Sequence, residues 1–177
     1  MSPFGLIRRL FRDSRGVSAV EFALIAPIMI LMYLGAAEMS QAYMAQKRAT
    51  HVASVIADLT TQTTALNQDM VDDIFAAGEH ILQPFPVAPL SQRLTSIGRD
   101  GEGDTSVLWT RTSGSGEFGP TSSITIPPDV LENNETIIVA EVIYVYNSPI
   151  GNLLPTGLQF ESIFFLRPRL ANSITCC

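Results

Sequence analysis

Val17–Ala37, VSAVEFALIAPIMILMYLGAA, carries a single charged residue, Glu21. About 20 apolar residues are what a helix needs to cross the ~30 Å hydrocarbon core of a bilayer, so the stretch predicts a transmembrane helix at the start of the chain. A lone carboxylate in such a helix costs roughly 2.5–3.5 kcal/mol at the centre on insertion scales and less near an end, and by default it marks function. Glu21 therefore needs a cationic partner. Pro27 is tolerated in a membrane helix because neighbouring groups take up the freed carbonyl, and a kink is expected there.

Outward from this stretch, the flank on its amino-terminal side holds Arg8, Arg9, Arg12 and Arg15 against one acid, Asp13. Basic residues beside a first spanning segment stay on the cytoplasmic side. Everything after about Glu38 is then expected across the membrane, in the periplasm of a Gram-negative cell. No second apolar stretch of spanning length follows. The expectation is a single-pass inner-membrane protein with a cytoplasmic amino terminus.

A basic leader ending in glycine (RDSRG, Arg12–Gly16), an acid at the fifth position after that glycine and an unbroken apolar run resemble the class III signal of type IV pilin-like proteins. The string GVSAVEFALIAPIMILMYLGAAEMSQAY, with its VEFALIAP and the later Gly35-x-x-Glu38, is similar to the TadE-like family, pseudopilins of the tight-adherence (Tad) pilus system. The resemblance implies that a prepilin peptidase, a membrane aspartyl enzyme facing the cytoplasm, cuts between Gly16 and Val17. It also implies that Glu21 meets the new amine of a neighbouring subunit, which agrees with the rule that a buried carboxylate is tolerable when paired with a cation. Its implied partners are the membrane, other pilin-like subunits and an inner-membrane assembly platform. The implied role is structural, a minor pseudopilin or pilus assembly protein that needs no cofactor and is not an enzyme, located in the inner membrane or in the pilus itself.

Three other readings stay open for these residues. Glu21 lies about one turn into the run, where a carboxylate can rest among head groups and water. Gly35 and Ala37 supply small residues before Glu38, as an ordinary signal-peptide site requires, although the run is longer than the usual ~7–15 residue core. The third reading is an uncleaved single-pass anchor carrying a periplasmic binding module.

Past the membrane stretch, Ala42, Ala45, Ala49, Val52, Ala53, Ile56 and Leu59 recur at steps of three and four. One helix from Val17 to about Leu59 follows, roughly 65 Å long at 1.5 Å per residue, its second half amphipathic. Thr60, Thr61, Thr63 and Thr64 break the pattern, β-branched threonine being an indifferent helix former. A second helix is signalled over Asn67–Leu82 by Asn67 as N-cap, by Asp69, Asp72 and Asp73 near the positive end of the dipole and by His80 near the negative end. Met70, Val71, Ile74, Phe75, Ala77, Gly78, Ile81 and Leu82 form its expected buried face. Pro84, Pro86 and Pro89 force an extended connector.

The rest alternates as strands. Gln92–Arg99 and Thr105–Thr112 flank the turn sequence DGEGD and read as a hairpin. Ser113–Gly119 reads as a loop. Glu135–Tyr146, with neither face plainly polar, is the expected central strand. Glu161–Arg167 follows after a turn over Asn147–Gly157. The predicted class is α+β and pilin-like, a long N-terminal helix, a second helix and then a small antiparallel sheet. The expected divisions are a leader at 1–16, a transmembrane helix at 17–37, its periplasmic continuation at 38–64 and a periplasmic α+β domain at 65–177.

Composition bounds the chemistry. With 46% hydrophobic and 16% charged residues in 177, the chain holds enough apolar material for a membrane helix and one modest core. The net charge of −6 includes the leader's four arginines and one aspartate, so loss of the leader leaves about −9 and argues against nucleic-acid binding. His51 and His80 lie on separate predicted helices with no nucleophile motif beside them. Asp100, Glu102 and Asp104 alternate like the first ligands of a calcium loop, but Arg111 stands where the closing acid belongs. Asp69, Asp72, Asp73, Glu79 and His80 are explained as helix-end charges, so no metal site is expected. Cys176 and Cys177 end the sequence. An exported location permits a disulfide, yet neighbours close almost no loop, which leaves frayed thiols, a strained vicinal bond or a bridge to a partner.

Overall fold

The computed structural model describes residues 16–127, 130–148 and 157–177. The arginine-rich leader and most of the expected 147–157 turn lie outside the described residues. The fold is α+β: a long apolar helix, a second helix and an antiparallel sheet. Helix α1 (Val17–Thr61) runs 45 residues without interruption through Pro27. The chain divides after Ser40 into two compact units. The second unit, from Gln41, is called the head below.

Helix α1 stops where threonines offer the backbone other partners. The hydroxyls of Thr60, Thr61 and Thr63 donate to the carbonyls of Ile56, Asp58 and Thr60 at 2.7, 2.8 and 3.3 Å. Such local bonds compete with continuation of the helix. After strand β1 (Ala65–Leu66), helix α2 (Gln68–Leu82) starts at Asn67, whose Oδ1 accepts from the Met70 amide at 2.8 Å. Its buried face is Val71, Ile74, Phe75, Gly78 and Leu82. Met70, expected in that face, is instead exposed on the first turn.

Strands β2 (Leu90–Arg99), β3 (Thr105–Ser113), β4 (Thr136–Tyr146) and β5 (Leu158–Leu166) form an antiparallel sheet in the order β3-β2-β4-β5. The expected central strand is β4, paired on both sides. At the β2–β3 tip, Asp100 Oδ1 accepts from the amides of Glu102 (3.0 Å) and Asp104 (2.9 Å), so this carboxylate is engaged in shaping the turn. Beyond β3 the loop returns close to β2. Gly114 has φ +90°, and a Cβ there would collide with the Leu90 carbonyl oxygen.

The sheet is covered on both faces. Leu90, Leu94, Ile138, Ala140, Val142, Tyr144 and Tyr146 pack with α2 and with the Ala42, Ala45, Ala49, Val52, Ala53, Ile56 stripe of α1. The opposite face carries a smaller cluster of Ile97, Leu131, Ile137 and Val139, with Ile124, Ile126, Val130 and Phe165 packed against it. The final segment then crosses back over the head. Trp109 Nε1 donates to Ile174 O at 2.7 Å, Arg169 N to Thr61 O at 3.2 Å, and β6 (Thr175–Cys176) pairs in parallel with β1. This ladder was not expected, because two-residue strands leave no periodic signal.

Because β2 is buried on both faces, its polar residues need partners within the protein. Gln92 Nε2 donates to Phe75 O at 3.1 Å. Arg93, opposite Glu141 in the β2–β4 register, donates to both carboxylate oxygens, Nε at 2.5 Å and Nη2 at 2.7 Å. Its Nη1 reaches Gly119 O at 2.5 Å and the guanidinium stacks on Phe118, 4.7 Å from the ring centroid. Breaking such a buried pair costs about 3–5 kcal/mol because one charge is stranded, whereas replacing both partners by apolar residues is near neutral. Glu141→Leu is therefore expected to lower the stability of the detergent-solubilised chain by about 3 kcal/mol in urea denaturation. Arg93→Met combined with Glu141→Leu is expected to recover most of that loss.

Candidate functional site

The stem of α1 is apolar on every side. Phe22, Leu24, Ile28, Met32 and Tyr33 are all more than half exposed, and they point in different directions around the helix. A helix that is hydrophobic all round belongs in a protein core or a bilayer, and none of its most hydrophobic 18-residue window is buried in the protein. This is a helix long and apolar enough to cross a membrane.

Among the described residues nothing lies within 4 Å of a Cβ built on Gly16, and Val17, where the helix begins, is half exposed. Glu21 is exposed and four residues on, which places it on the same helix face as Val17, one turn away. The structure thus places Val17 and Glu21 on one helix face, next to the Gly16–Val17 peptide bond.

Residues 16–58 match the family described as TadE-like protein. No curated protein and no solved structure matches the chain. The TadE-like segment begins at Gly16, just before α1, and ends at Asp58 within its final turn. It is thus coextensive with the helix, and the remainder of the head lies outside it.

The head offers other features that the sequence did not disclose. An apolar cleft of about 550 Å³ is lined by Pro84, Phe85, Pro86, Tyr144 and Tyr146, with Gln41 at its margin. Phe85 meets Tyr146 edge-on at a centroid distance of 6.4 Å. The proline run was legible as a connector, but it forms turns (Phe85 N to Leu82 O at 3.1 Å, Leu90 N to Val87 O at 2.9 Å) instead of the expected extended segment, and its closure on β4 depends on long-range packing. His51 and His80 are both exposed, on α1 and α2 respectively.

Cys176 and Cys177 are free thiols with sulfurs 3.1 Å apart. Cys176 lies in β6 and is partly buried, while Cys177 is exposed, its amide donating to Leu66 O at 3.3 Å. The end of the sequence is therefore held by backbone pairing, unlike the frayed arrangement among the expectations. Burial, together with the neighbouring sulfur, pushes the Cys176 thiol up. The hydrogen bond from Cys176 holds the Cys177 thiol below its ordinary value, helped by the Arg111 guanidinium.

The stem reading predicts a strong effect of a charge at its middle. An arginine at the centre of a spanning helix costs about 2.5–3.5 kcal/mol on insertion scales. Ile28→Arg is expected to shift the protein from the carbonate-resistant membrane fraction to the soluble or degraded fraction, whereas Ile28→Leu leaves it in place. Equal carbonate resistance for both variants would show that this segment does not span.

Proposed function

We propose that the protein is a minor pseudopilin or assembly protein of a Tad-type pilus, anchored by α1 with the head in the periplasm and processed by a prepilin peptidase after Gly16. The observation that carries this reading is the coincidence of the TadE-like segment, residues 16–58, with a helix that starts at Val17. In support, no described residue lies within 4 Å of a Cβ placed on Gly16, and the absence of a side chain there suits close approach by a peptidase. Cleavage there would remove the arginine leader and create an ammonium on Val17. Glu21 is the anion within the stem that can neutralise such an amine on an adjacent subunit, and pairing offsets the cost of holding a carboxylate in the membrane. The role is structural, and its partners are the peptidase, the assembly platform and other pilin-like stems.

Amino-terminal sequencing of the membrane-extracted protein tests the processing step. A mature chain beginning at Val17 is expected, and Gly16→Leu should abolish the cut without preventing insertion. A start at Glu38 would indicate signal peptidase, and an intact leader would favour the membrane-anchored binding module.

Glu21 is tested separately. Glu21→Gln is expected to leave processing and the thermal unfolding of the head unchanged while reducing co-purification with other pilin-like subunits and the number of pili per cell. Wild-type values of both would make Glu21 a solvated interfacial group.

A further inference from the structure

The two thiols at the end of the sequence are presented unequally. β6 pairs Cys176 with Leu66 of β1, which fixes the backbone and leaves the Cys176 side chain half-covered, while Cys177 projects from the end of the ladder. Their sulfurs are already in hydrogen-bond contact at 3.1 Å, and Gln68 Oε1 lies 3.8 Å from Cys177 Sγ. Arg111, on β3, supplies a positive charge that favours the Cys177 thiolate. Exposure and an adjacent cation are the surroundings that make a cysteine nucleophilic. The hydrogen bond from Cys176, with Arg111 adding to it, shifts the Cys177 thiol towards ionisation, and burial shifts that of Cys176 away from it.

A permanent bridge between the two does not fit this site. Adjacent Cα atoms are held about 3.8 Å apart, below the ~4.4 Å minimum usual for disulfides, so a vicinal bond is strained and easily reduced. It would also close almost no loop and contribute little to stability. What the arrangement favours is reversible exchange.

We propose that Cys177 and Cys176 form a thiol–disulfide exchange site, in which Cys177 attacks a disulfide-bearing partner and Cys176 resolves the product. The Cys177 thiolate attacks one sulfur of the partner R–S–S–R, forming a Cys177–S–S–R bond and releasing RS⁻, which takes up a proton. Cys176 then loses its proton and attacks Cys177 Sγ, expelling the second RS⁻. Two protein thiols are oxidised to one vicinal disulfide, and the partner disulfide is reduced to two thiols. Arg111 acts as a positioning residue that stabilises the attacking thiolate. The inference does not depend on the pilus reading.

The test uses the full, reduced chain in detergent with glutathione disulfide as the probe, acid quenching and intact-mass analysis. Cys176→Ser is expected to accumulate a stable glutathione adduct at the rate at which the wild type consumes the probe. Cys177→Ser should react several-fold more slowly, and the wild type should end as an internal disulfide free of glutathione. Arg111→Gln in the Cys176→Ser background should slow adduct formation several-fold, and Arg111→Lys should restore it. In urea the difference between the single-cysteine variants should vanish, which separates the folded site from the intrinsic reactivity of the sequence. Equal rates for the two single-cysteine variants in the folded protein, or a mixed adduct that persists in the wild type, would overturn the proposal.

Discussion

Packing of an alanine-lined helix face against an antiparallel sheet is the constraint on which the head depends. Ala45, Ala49 and Ala53 are fully buried, in one cluster with Leu94 of β2 and Ile138, Ala140 and Val142 of β4. The close fit continues on α2, where a Cβ on Gly78 would collide with Gln92 Oε1 and sit 3.0 Å from Val52 Cγ1. A larger residue at these positions would have to push the helix from the sheet or distort rotamers, at a cost of about 1–3 kcal/mol. Once the helix covers one face of the sheet and Ile124, Ile126, Val130 and Leu131 the other, β2 has no access to water. The bidentate Arg93–Glu141 pair and the Gln92 contact follow as requirements of that burial.

One continuous helix carries two different surface grammars. Up to Tyr33 its large apolar residues are exposed all round, and Met39, Tyr43 and Met44 still are, whereas from Ala45 the apolar residues are buried or half-buried and their neighbours are Gln46, Lys47 and Arg48. The change takes place within two or three turns and without a break in backbone hydrogen bonding. Secondary structure is thus held constant while the solvent for which the helix is suited changes. The TadE-like match covers both parts, which indicates that the family signature resides in the whole helix.

Much of this architecture was legible in the sequence because it rests on local, periodic signals. The Asn67 cap, the threonine stop, the proline connector and the DGEGD turn each act over a few residues, and α1, α2 and the four long strands fell close to their expected places. Strand β2 showed where pattern reading weakens. LSQRLTSIGR looks half-solvated, yet its polar side chains are buried, and Gln92, Arg93 and Ser91 find their partners on α2, on β4 and in the loop after β3 respectively. Tertiary register alone brings Arg93 to Glu141 and Trp109 to Ile174. Gly16, Val17 and Glu21 were prominent for the opposite reason, since a lone acid and a terminating glycine stand out against an apolar run.

The β1–β6 ladder bears on the order in which the head can assemble. Its strands join the segment directly after α1 to the last residues of the sequence, so this pairing has a high contact order. During vectorial synthesis, α1, α2 and the β2–β3 hairpin emerge well before Thr175 and Cys176. Until those residues arrive, the backbone edges of Ala65 and Leu66 lack their partner strand, and Trp109 Nε1 lacks its bond to Ile174. Closure of the head is therefore a late event, coupled to the emergence of Ile174, Thr175 and Cys176 rather than to folding of its helices.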